Sequence, residues 1–189
     1  NLGHSLASQL EMLVPVAQRA REDGLAVRGY ISMCFGDPWE GQVDQQAVVD
    51  IAHALIAAGC AEISLGDTIG VATPGHVQHL IGQLVTSGID VERMGVHFHD
   101  TYGQALVNTL AAMQFGVTTI DASAGGLGGC PYARSATGNL ATEDLVWMLE
   151  GLGIDTGVDL SELVRPTTWL GTHIGRPPAS RVARALSVP

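Results

Sequence analysis

Four short apolar runs, each followed by a polar or glycine-rich turn and then by a stretch of helical spacing, limit what this chain can fold into. The runs span 26–33, 60–65, 95–99 and 117–122, and the helical stretches 6–20, 44–58, 73–87, 104–115 and 142–152. Asp44 suits a helix N-cap, Thr73-Pro74 a helix start, and Gly24 and Gly59 helix stops. Two more helical candidates follow at 160–170 and 179–186. Such alternation means parallel strands joined by helical crossovers, a pattern met by a doubly wound sheet and by a barrel. No GxGxxG follows the first run, and polar residues collect after every run instead of at one crevice. That favours a barrel, whose site is built by the loops at the strand C-termini.

The expected fold is therefore α/β: a partial TIM (β/α)8 barrel of about four parallel strands with their helices over residues 1–155. A C-terminal helical extension follows over 156–189. Four strands are half of such a barrel, and the chain opens on Asn1 in a loop ahead of a helix. The expectation is of a C-terminal portion that associates with a missing half or with a second copy.

Composition removes several function classes. Hydrophobic residues make up 46% of the 189, yet no apolar run approaches the roughly 20 residues that span a bilayer, so no membrane partner is expected. A net charge of −10 argues against a nucleic-acid partner, whose phosphates need clustered cations. All nine basic residues are arginine. Without lysine, neither Schiff-base chemistry nor a P-loop cation is open to these residues. An enolate formed here needs a metal ion or an arginine. Cys34, Cys60 and Cys130 form no CxxC pair and no disulfide framework, which points to a reducing compartment and a cytoplasmic protein.

Three motifs carry chemistry. His97 and His99 flank Phe98 on the third run, and alternation along a strand puts both imidazoles on one face. They read either as two ligands of one ion or as a structural or acid–base pair. The segment Gly125-Gly126-Leu127-Gly128-Gly129-Cys130 has four glycines in five positions before its cysteine. It is either a loop that brings a thiol to a ligand or a turn ending in an inert cysteine. In Gly138-Asn139-Leu140-Ala141-Thr142-Glu143-Asp144, Thr142 and the two acids suit a helix start, while Asn139 offers a neutral oxygen to a hard cation. Imidazole combined with oxygen donors favours Mg²⁺ or Mn²⁺ over a thiolate zinc site. Arg28 and Tyr30 share a face of the first run, Ser64 lies in the second run, and Asp67 comes just after it. A charged side chain within a barrel strand needs a partner, so Arg28 reads as a holder of an acidic substrate or as half of a buried ion pair.

Taken together, Val27-Arg28-Gly29-Tyr30, the stretch Glu62-Ile63-Ser64-Leu65-Gly66-Asp67-Thr68-Ile69-Gly70, His97-Phe98-His99-Asp100-Thr101-Tyr102-Gly103-Gln104-Ala105, Gly126-Leu127-Gly128-Gly129-Cys130-Pro131-Tyr132-Ala133 and the segment from Gly138 to Asp144 closely resemble the 3-hydroxy-3-methylglutaryl-CoA lyase family. The likeness runs from Asn1 to about residue 160. The HxH element is shared with a wider metallolyase superfamily of synthases and aldolases, whereas the Gly-rich CPYA loop joined to GNLATED is specific to the lyase. The resemblance implies cleavage of 3-hydroxy-3-methylglutaryl-CoA, or a close 3-hydroxyacyl-CoA, to acetyl-CoA and acetoacetate, a step of leucine breakdown and ketone-body formation. It implies His97, His99 and Asn139 as ligands of Mg²⁺ or Mn²⁺, with a carboxylate ligand from an earlier strand. Cys130, Asp67, Glu143 and His97 take catalytic roles in that comparison, and Arg28, Tyr30, Ser64 and Asn1 line the acyl-CoA site. A homodimer is implied as well. The ending Ser187-Val188-Pro189 lacks both a peroxisomal-type signal and the C-terminal cysteine of animal forms, so neither organelle targeting nor a thiol-regulated dimer is expected. Two alternatives stand: a condensing synthase or aldolase of the superfamily, and a catalytically silent half-barrel.

Overall fold

The structure is a computed structural model that describes residues 4–129 and 137–187. Helix α1 (Leu6–Glu22) opens it, with the Ser5 hydroxyl accepting from the Ser8 amide as its cap. Then follow β1 (Arg28–Ile31), α2 (Gln45–Ala57), β2 (Glu62–Asp67), α3 (Pro74–Thr86), β3 (Met94–Phe98), α4 (Ala105–Met113) and β4 (Thr119–Asp121). Three helices close the chain: α5 (Thr142–Gly151), α6 (Leu160–His173) and α7 (Arg181–Leu186). The strands form one parallel sheet in the order β1-β2-β3-β4, so every crossover is helical and every strand neighbours the next in sequence. This is the partial (β/α) architecture with C-terminal helices expected from the alternation.

Strand periodicity divides the sheet into two unlike faces. Ile31, Ile63, Leu65, Met94, Val96 and Phe98 point to one side and are buried, packed with Val77, Leu80, Ile81 and Leu84 of α3. Those four helix positions follow i, i+3, i+4, i+7 spacing, which aligns them on one stripe. Burying each such side chain contributes about 1.5–3 kcal/mol, so this face stabilises the fold. Arg28, Tyr30, Glu62, Ser64, Gly95, His97, Thr119 and Asp121 occupy the other face. That face is polar and partly open to solvent, with Tyr30 55% exposed.

β1 and β4 are shorter than the apolar runs that announced them, while β2 and β3 match theirs in length with a shift of one or two residues. His99 lies just past β3 and pairs with Asn139 in an isolated antiparallel bridge. The chain returning from the Gly-rich segment is fastened across the end of β3: the Leu140 amide donates to Phe98 O and the Asp100 amide to Gly138 O, each at 3.0 Å. On its other side the Ser123 amide donates to Leu140 O at 2.9 Å. Gly138 permits this approach, since a Cβ there would overlap the Gly126 carbonyl oxygen.

Candidate active site

The polar face gathers the strand residues singled out in the sequence around one carboxylate that was not among them. Asp121 Oδ1 accepts from Arg28 Nη1 at 2.8 Å, and Oδ2 lies 3.3 Å from both the Ser64 hydroxyl and His97 Nδ1. Burial alone would raise the pKa of Asp121, but the His97 hydrogen bond and the Arg28 charge outweigh it and pull the carboxyl down to about 2. Arg28 also forms an ion pair with Glu62 at 2.7 Å, without hydrogen-bond alignment, and donates to the Tyr30 hydroxyl at 3.0 Å. Burial opposes the guanidinium charge, yet the two carboxylates prevail and Arg28 is held more firmly protonated. The ion-pair reading of Arg28 is the one the contacts show, and the residue also lies on the open face beside Tyr30. Sequence reasoning missed Asp121 and Glu62. The signal was available, because an acid at an inward position of a barrel strand raises the same question that Arg28 raised.

His97 and His99 share a face as their spacing predicted, with ring centroids 5.4 Å apart. His99 is 6% exposed, and its Nδ1 lies 3.0 Å from Thr137 O. A carbonyl only accepts, so Nδ1 carries the hydrogen and Nε2 keeps its lone pair. Burial lowers the His99 pKa, with the Thr137 bond opposing and the neighbouring His97 adding to the fall. The shift favours the neutral ring, the form a ligand needs. Asn139, paired with His99 across the bridge, donates through Nδ2 to Leu127 O at 2.8 Å, while its Oδ1 is buried with no hydrogen-bond partner among the described residues. An orphaned amide oxygen is costly unless something else binds it. Two imidazoles and this oxygen form a donor set that fits a hard cation. Among the described residues no three His, Cys, Asp or Glu side chains converge to hold a metal by themselves.

The structure puts Asp67 and Glu143 in other surroundings. Asp67 is buried at the end of β2, where its two oxygens accept from the Val71 and Ala72 amides at 3.0 and 2.9 Å. Burial raises its pKa, against the pull of those amides. It shapes the loop into α3. Glu143, fully buried, accepts from the Gly125 amide through both oxygens, at 3.0 and 2.9 Å, and from the Thr167 hydroxyl. It therefore ties α6 to the start of the Gly-rich segment. Asn1 and Cys130 lie outside the described residues. Cys34 and Cys60 are buried, and burial pushes the Cys34 thiol up to about 12 and raises that of Cys60, which disfavours the thiolate at both.

A cavity of about 870 Å³ is lined by Phe35, Asp37, Val71, His76, His79 and Tyr102 among others and shares no residue with the Asp121 cluster. The cluster around Asp121 lies on the open sheet face instead. No helix among the described residues is long and apolar enough to cross a membrane.

A parallel β/α sheet with paired imidazoles at the C-terminal end of β3, beside a buried amide oxygen that has no partner among the described residues, suits a lyase-type β/α barrel segment. Comparison with known proteins narrows the class. The chain matches the HMGL-like family over residues 1–168 and belongs to it. It is 48% identical over 185 residues to the mitochondrial hydroxymethylglutaryl-CoA lyase of Rattus norvegicus, covering 98% of this chain and 57% of that protein. It is 47% identical over 186 residues to the 3-hydroxy-3-isohexenylglutaryl-CoA/hydroxy-methylglutaryl-CoA lyase of Pseudomonas aeruginosa, covering 98% of this chain and 62% of that one. The crystal structure of Bacillus subtilis HMG-CoA lyase superposes with a TM-score of 0.94 at 40% identity, over 100% of this chain and 63% of that chain. The chain spans less than two thirds of the length of these relatives. One expectation is overturned: the rat relative and its counterparts in other vertebrates are mitochondrial, which conflicts with a cytoplasmic assignment. That assignment rested on spaced cysteines and on the ends of this sequence. Neither is an address, and relatives close to this chain in sequence are mitochondrial.

Proposed function

We propose that the protein to which this chain contributes cleaves 3-hydroxy-3-methylglutaryl-CoA, or a close 3-hydroxyacyl-CoA, to acetyl-CoA and acetoacetate. The observation that carries the reading is the Asn139 Oδ1 atom, buried beside His99 with no partner among the described residues, on a chain 48% identical to a hydroxymethylglutaryl-CoA lyase. His97, His99 and Asn139 would hold a divalent cation, with Mg²⁺ or Mn²⁺ favoured by the nitrogen and oxygen donors. When bound, that ion supplies Lewis-acid polarisation of the substrate's tertiary hydroxyl and a carboxylate oxygen. The chain's own residues do the rest. Arg28, held by Asp121 and Glu62, presents a fixed cation to the acyl group, with Tyr30 and Ser64 beside it. Once the hydroxyl proton leaves, the C2–C3 bond breaks, its electron pair passes to the acetyl-CoA enolate, and a carbonyl forms on acetoacetate. A proton then returns to the enolate carbon, a role the family resemblance gives to Cys130. Asp67 and Glu143 serve by shaping the loops around this face, and Asn1 remains a substrate-side residue by resemblance alone.

The reaction belongs to the complete protein. A four-stranded sheet leaves the polar face open to water, and this stretch alone is expected to show no turnover. The test is direct: supply the complete, cation-loaded protein with 3-hydroxy-3-methylglutaryl-CoA and quantify acetoacetate and acetyl-CoA. Stoichiometric appearance of both supports the reading. A folded, loaded protein that yields neither would overturn it.

A further inference from the structure

The two imidazoles are held by different devices with one outcome. His99 Nδ1 faces the Thr137 carbonyl oxygen, and His97 Nδ1 faces Asp121 Oδ2 at 3.3 Å. Both partners are pure acceptors when the carboxyl is ionised, so each requires hydrogen on Nδ1 and leaves the Nε2 lone pair free. The devices differ in rigidity. Thr137 acts through backbone, beside the bridge that pairs His99 with Asn139. Asp121 is a side chain, yet its other oxygen is anchored by Arg28 at 2.8 Å, and the oxygen that faces His97 is shared with Ser64 at 3.3 Å. The carboxylate is thus fixed from β1 and β2 while it addresses a ring on β3. Left to itself, a neutral imidazole in water prefers hydrogen on Nε2, the form that cannot bind through that nitrogen.

We propose that Asp121 is a positioning residue that selects the Nδ1–H tautomer of His97 and so keeps Nε2 available as a donor. What Nε2 is for rests on the proposed function, whereas the tautomer does not. The experiment separates the two. In the complete, metal-free protein with ¹⁵N-labelled histidine, at a pH where the rings are neutral, long-range ¹H–¹⁵N spectra report which nitrogen of His97 carries hydrogen. Nδ1–H in the unmodified protein is the expected result, and Nε2–H there overturns the proposal whatever the variants do. Asp121→Ala is expected to move His97 toward Nε2–H and to weaken Mn²⁺ binding, read by calorimetry, by roughly 10- to 100-fold. Glu62→Gln removes a charge from the same face without touching His97, and is expected to leave the tautomer as it was. An equal change in both variants would mean general electrostatics and would overturn the assignment. An Asp121→Ala protein that keeps Nδ1–H would do the same. None of these measurements needs the lyase reaction, so a protein inactive on 3-hydroxy-3-methylglutaryl-CoA still tests the role of Asp121.

Discussion

Gly95 lies directly beneath the Arg28 guanidinium: a Cβ built there would overlap Arg28 Nη2 and come within 2.8 Å of Glu62 Oε1. The absence of a side chain on β3 is what lets the ion pair of β1 and β2 lie across it. Both obstructed atoms are ends of flexible side chains, so Gly95→Ala is expected to lower stability by only about 1 kcal/mol. The displaced guanidinium is another matter. On the proposed substrate role of Arg28, misplacing it by an ångström is expected to lower kcat/KM by roughly 10- to 100-fold. Urea titration beside steady-state kinetics of the complete protein checks this, and equal kcat/KM in the two proteins would rule it out.

Glu143 is expected to matter through stability. Glu143→Ala strands a buried Gly125 amide and a buried Thr167 hydroxyl, at about 2–4 kcal/mol, while Thr167→Val removes one bond at about 1 kcal/mol. The order of the urea midpoints is the measurement. A Thr167→Val protein less stable than Glu143→Ala would contradict the assignment.

Asp121 gives stability a pH dependence of known sign. Its folded pKa is depressed to about 2 from 3.8, so its contribution is fully present above the unfolded value and is lost as pH falls through the folded one. That contribution is at most about 2 kcal/mol, since the side chain keeps some exposure. The stability gap between the unmodified protein and Asp121→Asn should hold steady above pH 4 and narrow toward pH 2. Chemical denaturation across that range reads it, and a gap that widens on acidification would refute the assignment.

Asn139→Ala tests the cation reading. Loss of the orphaned oxygen is expected to weaken Mg²⁺ or Mn²⁺ binding at least about tenfold in calorimetry on the metal-stripped protein, as loss of one ligand should. Chelation is expected to abolish turnover and re-addition to restore it. Unchanged affinity would remove Asn139 from the ligand set.

Most of the fold was legible because its signals are local. Helical spacing, Gly59 and Thr73-Pro74 mark element ends through backbone geometry alone, and α2 and α3 fall where they indicate. The His97–His99 pair was legible for the same reason, since strand alternation joins positions two apart. Asp121 was not, because its meaning lies in Arg28, 93 residues away in sequence and brought near only by register across three strand pairs. Asp67 and Glu143 show the converse. Their motifs marked them as important, but only the coordinates show the amides they hold.

The unlike faces of the sheet have an evolutionary consequence. Residues that pack against the helices and residues of the polar face alternate along each strand and never share a position. Exchanging Tyr30 or Ser64 for another polar residue leaves Ile31, Ile63 and Leu65 in place. A lineage built on this scaffold can therefore vary the polar side by point changes, with little risk to the integrity kept by the other.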